Sequence, residues 1–338
     1  MKILVTGGTG YIGSHTIVDL LENGMDVVCV DNGINSDKSV LRAVEEITGR
    51  KVTFYPIDLC DNKATQQIFR DEKPDGVIHF AALKSVNDSM NQPLAYFRNN
   101  LESLINTLDQ ALDVGVRAFV FSSSCTVYGN VSHSPVTEET PQQPAASVYG
   151  RTKQMGEHII QDSLLKKSMK ASLLRYFNPA GAHPSGKLGE SPLQTAQNLV
   201  PVITETAIGK RDALQVFGTD YPTRDGSCVR DFIHVCDLAR AHTLALQYLF
   251  SKDLASKVDI FNLGMGQGVT VLEAINAFEK VNQLKLNYTL ADRREGDVVA
   301  IYSDYTKAKK LLGWEPGFSI EDIMKTAWQW ELNRTTKS

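Results

Sequence analysis

The chain has 338 residues, enough for two domains or for one large doubly wound domain carrying an appendage. Hydrophobic residues make up 42% and charged residues 22%, close to the averages of globular proteins, which excludes a chain disordered or fibrous throughout. Basic and acidic residues number 35 and 39, so the net charge of −4 argues against a whole-surface attraction to nucleic acid or anionic lipid and leaves local phosphate sites open.

Short runs rich in Val and Ile predict strands over residues 2–6, 27–30, 52–56, 76–79, 118–122 and 172–175. Amphipathic stretches between them, such as 14–23 and 101–114, have the apolar spacing of helices packed on a sheet. This alternation predicts an α/β fold built on a doubly wound parallel sheet of the Rossmann type. After residue 178 the pattern gives way to loops rich in Pro and Gly, 178–192 and 218–226, which are unusual unless they bind something. A strand at 259–263 and helices at 271–281 and 320–330 restore order, with no internal repeat. The five cysteines, Cys29, Cys60, Cys125, Cys228 and Cys236, are odd in number and hold no C-x-x-C pair, so neither a disulfide framework nor a zinc site is expected. With no charged leader before Lys2 and no apolar run of membrane-spanning length, the expected location is cytoplasmic.

Gly7-Gly8-Thr9-Gly10-Tyr11-Ile12-Gly13 follows the first strand and opens the first helix. Glycines at 7, 10 and 13 permit a tight turn and a close backbone approach, while the helix start, at Tyr11 and Ile12, offers free N–H groups and a partial positive charge to a diphosphate. Asp31 ends the second strand 18 residues after Gly13, where a carboxylate can accept hydrogen bonds from both hydroxyls of an adenosine ribose. It would repel a 2′-phosphate, and Asn32 and Gly33 beside it supply no offsetting cation, so NAD is expected rather than NADP. Weaker candidates follow later strands: Asp58 and Leu59 after the third, Phe80, Ala81, Ala82 and Lys84 after the fourth, and Asn99 at the start of a helix. Asp58 has a competing reading as a helix cap. The division expected is an NAD-binding domain over 1–177, which includes the helix that begins near Tyr149, and a smaller α/β region over 178–338 from which some strands and helices return to the first domain.

Tyr149 and Lys153 stand at i and i+4, on one helix face. A phenol of ordinary pKa near 10 needs about 4 kcal/mol of stabilisation to act as a base at pH 7. An adjacent ammonium and a bound nicotinamide cation each favour the phenolate. Phe121-Ser122-Ser123-Ser124-Cys125-Thr126-Val127-Tyr128-Gly129 leaves the fifth strand and brings hydroxyls to the same sheet edge. Alone, Y-x-x-x-K is more often an ordinary helix-surface pattern; the fingerprint and the serine cluster reverse that reading.

The Gly7–Gly13 fingerprint, the serine-rich strand end, Tyr149 and Lys153 resemble the extended short-chain dehydrogenase/reductase family. The stretches 174–186, 229–235 and 293–297 resemble its UDP-galactose 4-epimerase branch, and the resemblance runs from about Met1 to Trp330. It implies that Tyr149 takes the proton from the sugar 4-hydroxyl, that Ser124 shares that hydrogen bond, and that Lys153 holds the nicotinamide ribose. A hydride would pass to NAD and return to the other face of a 4-keto sugar, so the cofactor would stay bound. The resemblance completes the cofactor set with Asn35, Ser36, Ser122, Tyr176 and Phe177. It places Asn178, Asn198, Leu199 and Phe217 at the substrate nucleotide, Arg230 and Arg294 at its diphosphate, and Asp297 at its uridine ribose.

Without the resemblance, Arg230 and Arg294 read as surface ion pairs with Asp231 and Glu295. His183 and His234 read as structural. Ile301 stands where galactose-restricted members carry a bulky Tyr, so the resemblance implies more room beside the sugar and some acceptance of N-acetylhexosamines. Asn87 and Cys125 also depart from the family's usual Gly and Ala. A homodimer through the helices over 101–114 and 149–165 is a further implication. Two rivals remain. A 4,6-dehydratase of nucleotide sugars would carry Asp-Glu after the catalytic Thr or Ser, whereas Ser124 is followed by Cys125 and Thr126. A non-catalytic NAD sensor would commonly have lost the Tyr or the Lys, and both are present.

Overall fold

Seven parallel strands form the central sheet of the computed structural model, which describes every residue except 193–194, 252–253, 255, 295–296 and 337–338. The first half of the chain runs β1 (Lys2–Thr6), α1 (Tyr11–Glu22), β2 (Asp26–Val30), α2 (Val40–Thr48), β3 (Thr53–Tyr55), α3 (Asn62–Glu72), β4 (Gly76–His79), α4 (Val86–Asn91), α5 (Pro93–Asp113), β5 (Ala118–Ser122), α6 (Val148–Leu164) and β6 (Lys170–Tyr176). The second half runs β7 (Asn178–Ala180), α7 (Leu199–Ala207), β8 (Leu214–Phe217), β9 (Val229–Arg230), β10 (Phe232–His234), α8 (Val235–Phe250), β11 (Val258–Leu263), β12 (Val269–Thr270), α9 (Val271–Asn282), β13 (Tyr288–Ala291), β14 (Ala300–Ile301), α10 (Thr306–Leu312) and α11 (Ile320–Thr335).

The sheet order is β11-β6-β5-β4-β1-β2-β3, so the chain reverses its direction of travel across the sheet between β1 and β4. A crevice opens at such a switch point beyond the strands' C-terminal ends. Strand alternation sorts side chains between two apolar layers. Ile3 and Val5 of β1, with Ala118 and Val120 of β5, join the layer of α1 and α8; Leu4, Phe119 and Phe121 join that of α3, α5 and α6. Both faces are covered, which explains strands that read as continuous apolar runs.

Helix α8 and strand β11 come late in the chain yet pack into this sheet, β11 pairing with β6 from Val258 to Leu263. A separate apolar core joins α7, α9 and α11 through Ile203, Phe278, Ile323 and Met324. Small sheets edge this region: β8 with β13, β7 with β10, and β9 between β12 and β14. The loop expected over 178–192 begins as β7, whose parallel pairing with β10 ties it to the segment after Arg230. Among the described residues no helix is long and apolar enough to cross a membrane.

Two boundaries differ from expectation for local reasons. The helix expected from 101 begins at Pro93, a residue preorganised for the first helical position. Asn99 therefore lies in the second turn of α5 and does not start it. Helix α3 is capped by Asp61, whose Oδ1 accepts from the N–H groups of Lys63 at 3.0 Å and Ala64 at 3.1 Å, which leaves Asp58 free of that duty.

Candidate active site

A cleft of about 1740 Å³ opens at the switch point and runs between the sheet edge and the C-terminal region. It exceeds the ~300–1,000 Å³ of an ordinary small-molecule site, so more than one ligand fits.

One end is built by the β1–α1 turn, where Gly7, Gly10, Tyr11, Ile12 and Gly13 line the wall. Gly7 has φ +65, and a Cβ there would lie 2.8 Å from the Ala81 backbone nitrogen. At Gly13 a Cβ would come within 2.3 Å of the Gly7 carbonyl oxygen. No side chain caps α1 at Gly10, so its first N–H groups remain for a ligand. Asp31 is fixed by the Thr9 N–H at 3.1 Å, the Gly33 N–H at 2.9 Å and the Ser36 hydroxyl at 3.2 Å, with Thr9 and Ser36 bonded to each other at 2.7 Å. Asn32 donates to Asp58 at 3.3 Å. Asn35, Leu59, Phe80, Ala81, Ala82, Lys84 and Asn99 continue the same wall. These features suit a dinucleotide with free ribose hydroxyls. Thr9 was missed in the sequence because its role, steadying the Asp31 carboxylate, appears only when β1 and β2 are paired.

At the floor, the three serines at the end of β5 divide their duties. The Ser122 carbonyl accepts from Lys153 Nζ at 2.6 Å, and its hydroxyl makes a very short contact with the Tyr176 hydroxyl. Ser123 donates to Glu157 at 2.5 Å. Ser124 lines the cleft, and its hydroxyl accepts from the Thr126 N–H at 3.2 Å. Lys153 Nζ lies 5.8 Å from the centroid of the Tyr149 ring. Burial holds the Tyr149 phenol well above its ordinary value, the neighbouring Tyr176 adds to that, and the Ser124 hydrogen bond works against it. Burial brings the Lys153 ammonium down to about 7, with Glu157 pulling it back up. An added positive charge would favour the Tyr149 phenolate, against which burial works. Burial also lifts the Cys125 thiol to about 12, so this residue of the cleft wall is no nucleophile at neutral pH.

The far end is lined by Phe177, Asn178, Asn198, Leu199, Phe217, Arg230, Arg294 and Asp297. Asn178 donates to the Asp231 carbonyl at 2.9 Å, and Asn198 with Leu199 forms the start of α7. The Arg230–Asp231 ion pair that the bare sequence offers is not the one present. Arg230 and Arg294 both reach Asp297, at 3.2 and 3.0 Å. Asp231 faces away and accepts from the N–H groups of Met265 at 2.7 Å and Ser303 at 2.9 Å and from the Ser303 hydroxyl at 2.6 Å. Glu295 lies outside the described residues. Two guanidinium groups sharing one carboxylate leave a net positive charge facing the cleft, and the Arg294 guanidinium lies 5.6 Å from the Phe217 ring centroid. Aromatic and cationic groups side by side suit a nucleotide base and its phosphates.

Ile301 is the one sequence candidate that does not line the cleft. It belongs to a buried apolar cluster with Val127, Tyr128, Val136 and Phe177, so it touches the site only through that cluster. Its strand β14 pairs with β9, a long-range pairing that one sequence does not reveal. Asn87 lines the cleft mouth and donates to Gln197 at 3.2 Å, while Lys84 reaches Glu190 at 3.4 Å. His183 bonds Ser185, and the His234 ring stacks on Phe318 at 4.0 Å, both outside the cleft lining.

The sheet, the glycine turn and the Tyr149–Lys153 pair define a dinucleotide-dependent enzyme of the extended short-chain dehydrogenase/reductase class. A family model described as GDP-mannose 4,6 dehydratase matches residues 4–327. The chain is 47% identical to a UDP-glucose 4-epimerase of Schizosaccharomyces pombe, over 97% of this chain and 93% of that one. It is 46% identical to a UDP-glucose 4-epimerase of Bacillus subtilis, over 98% and 97%. A solved UDP-glucose 4-epimerase of Stenotrophomonas maltophila with bound NAD and formylated UDP-arabinopyranose superposes with a TM-score of 0.97 at 42% identity, covering both chains fully. That of Bifidobacterium longum in complex with NAD+ and UDP gives 0.94 at 41%, again over both whole chains. The chain belongs to the UDP-glucose 4-epimerases, within the wider family that the GDP-mannose 4,6 dehydratase model describes.

Proposed function

We infer that this chain is an NAD-dependent isomerase that interconverts UDP-glucose and UDP-galactose by inverting C4 through a transient 4-keto sugar. The observation that carries the reading is the junction of two half-sites at Tyr149: the glycine turn and Asp31 on one side, Arg230, Arg294 and Phe217 on the other, in one continuous cleft. When bound, NAD supplies a reversible hydride acceptor and a positive charge that favours the phenolate. Tyr149 takes the proton from the 4-hydroxyl, Ser124 shares that hydrogen bond, and Lys153 stabilises the phenolate. Arg230 and Arg294 hold the diphosphate, Phe217, Asn178, Asn198 and Leu199 bound the nucleotide, and Asp297 orients both arginines and its ribose. Gly7 to Gly13, Asp31, Asn32, Asn35, Ser36, Asp58, Leu59, the 80–84 segment, Asn99, Ser122, Tyr176 and Phe177 hold the cofactor. In this reading residues 1–177 bind mainly NAD and 178–338 mainly the UDP-sugar.

A dehydratase reading is disfavoured because Cys125 and Thr126 follow Ser124, leaving no carboxylic acid pair to eliminate water. Acceptance of N-acetylhexosamines would now depend on the wall beside Ile301 relaxing, since Ile301 stands behind it. Incubation with UDP-galactose and no added NAD, followed by NMR of the anomeric signals, tests the central reading. UDP-glucose should appear; its absence even after NAD is added would reject it.

The cytoplasm is the proposed location, and a homodimer the proposed state. Helices α5 and α6 pack side by side and leave Leu94, Ile105 and Met155 exposed on their outer faces. Sedimentation of the wild type and of Ile105→Glu should give a dimer and a monomer respectively.

A further inference from the structure

Lys153 is 4% exposed, and a buried ammonium needs both an acceptor and a countercharge to remain protonated. The acceptor is the Ser122 carbonyl. Among the described residues, the surrounding groups narrow the countercharge to one. From β4, His79 lies buried and is held down to about 3 by burial and by Lys153 itself, so it carries no charge at neutral pH. From β5 comes the Phe121 ring, 4.9 Å from Nζ, and from β6 the phenol of Tyr176, which burial keeps protonated. From α5, Tyr96 acts on Tyr149 and is likewise pushed up by burial. On α6 itself, Glu157 stands one turn beyond Lys153, on the face that Tyr149 and Lys153 share.

Glu157 is 1% exposed and fully engaged. Arg175 grips it with two bonds, Nε to Oε1 at 2.9 Å and Nη2 to Oε2 at 2.6 Å. Ser123 at 2.5 Å and Gln142 at 2.8 Å complete its acceptor sites. Arg175 in turn donates to Tyr128 at 3.2 Å, and Tyr128 donates to Asn262 at 2.6 Å. The carboxylate is therefore immobile and tied to β5, β6 and β11, the strands beneath the catalytic helix. A surface pair would not justify such a network, and replacing a buried pair by apolar groups often costs little stability. A functional reason explains it better.

We propose that Glu157 is a positioning residue for the epimerase reaction: its carboxylate, clamped by Arg175, Ser123 and Gln142, keeps the buried Lys153 ammonium charged and so sets the pH at which the Tyr149 phenolate loses its support. This rests on the proposed roles of Tyr149 and Lys153. Loss of the Glu157 charge lets burial win, Lys153 deprotonates at lower pH, and the alkaline limb of the rate profile moves to lower pH.

The test reads Lys153 directly. The protein as purified, and again saturated with NAD, is labelled with [ε-13C]lysine, and the Lys153 signal, assigned with Lys153→Met, is titrated from pH 6 to 11. In Glu157→Gln its midpoint should fall by about one pH unit relative to wild type, whereas Glu157→Asp should restore most of the shift. The alkaline limb of kcat should move with the midpoint. A folded Glu157→Gln whose midpoint matches wild type overturns the proposal, even if its kcat has dropped. Should Glu157→Gln not fold, the midpoint of Glu157→Gln/Arg175→Met is compared with that of Arg175→Met, which removes the cation alone; a lower midpoint in the double variant supports the proposal and an equal one overturns it. Because the titration needs no turnover, its outcome is separate from the UDP-galactose test of the overall reading.

Discussion

At the scale of single residues, the site works by placing opposed influences on the same group. Burial pushes Tyr149 up and Lys153 down to about 7, so the phenol is not ready for proton transfer until positive charge enters the cleft. Tyr149→Phe removes the proton acceptor with no change in packing volume worth noting. It should lower kcat by about 10²–10⁴-fold while NAD still co-purifies, as measured by the absorbance of a denatured extract. Retained turnover would move the base elsewhere. Arg294 is half-exposed and shares Asp297 with Arg230, so Arg294→Gln should raise KM for the UDP-sugar about tenfold and leave kcat within about twofold. A fall in kcat alone, at unchanged KM, would contradict its assignment to the diphosphate. Tyr149 and Lys153 were legible in the sequence as residue types at a meaningful spacing, Arg230 and Arg294 only through the family resemblance. The partner of the arginines was not, because Asp297 is brought to Arg230 by the pairing of β14 with β9.

Among elements, the helix α1 start shows how local conformation and tertiary contact combine. In an ordinary helix interior, Gly→Ala stabilises by about 1 kcal/mol. At Gly13 the sign should reverse, because the new Cβ would sit 2.3 Å from the Gly7 carbonyl oxygen and must push α1 away from the turn. Gly13→Ala should lose its retained NAD and melt a few degrees lower, consistent with overpacking of roughly 1–3 kcal/mol. Full NAD occupancy in that variant would show the turn to be looser than its geometry indicates. The glycine spacing announced this element; the start of α5 was missed although Pro93 marks it, because the apolar pattern strengthens only further along. That some later helices return to the first domain was expected, but not that α8 is one of them, since nothing in its own residues says which sheet it covers.

For the whole molecule, four buried histidines set the acid limit. Burial holds His15 and His79 down to about 3 and His234 and His242 to about 4, all below their ordinary 6.5. His15 and His242 bond a backbone carbonyl through Nδ1, at 2.7 and 2.8 Å, and Nε2 of His242 has no partner among the described residues. A proton there would be a buried donor with nothing to receive it. Between pH 6.5 and about 4 the unfolded chain therefore binds protons that the folded chain refuses. Stability is full above pH 6.5 and falls as the pH drops, by up to about 1.4 kcal/mol per unit for each histidine. Urea midpoints should decline steadily from pH 7 to 5, and His242→Asn should flatten the slope if it folds. A flat wild-type profile over that range would refute the idea that these imidazoles stay neutral.

The sequence by itself determined the α/β class, the parallel sheet, the glycine turn, the preference for NAD and the Tyr149–Lys153 pair, because each depends on residues within a few turns of one another. Local spacing fixes hydrogen-bonding geometry and side-chain direction regardless of what lies beyond. Only the tertiary structure decided the rest: that Asp297 rather than Asp231 meets Arg230, that Ile301 stands behind the cleft wall, and that Arg175 and Ser123 clamp Glu157 under the catalytic helix. Those arrangements come from strand order and from pairings between segments far apart in the chain, which cost loop-closure entropy and are set by the packing of the whole core.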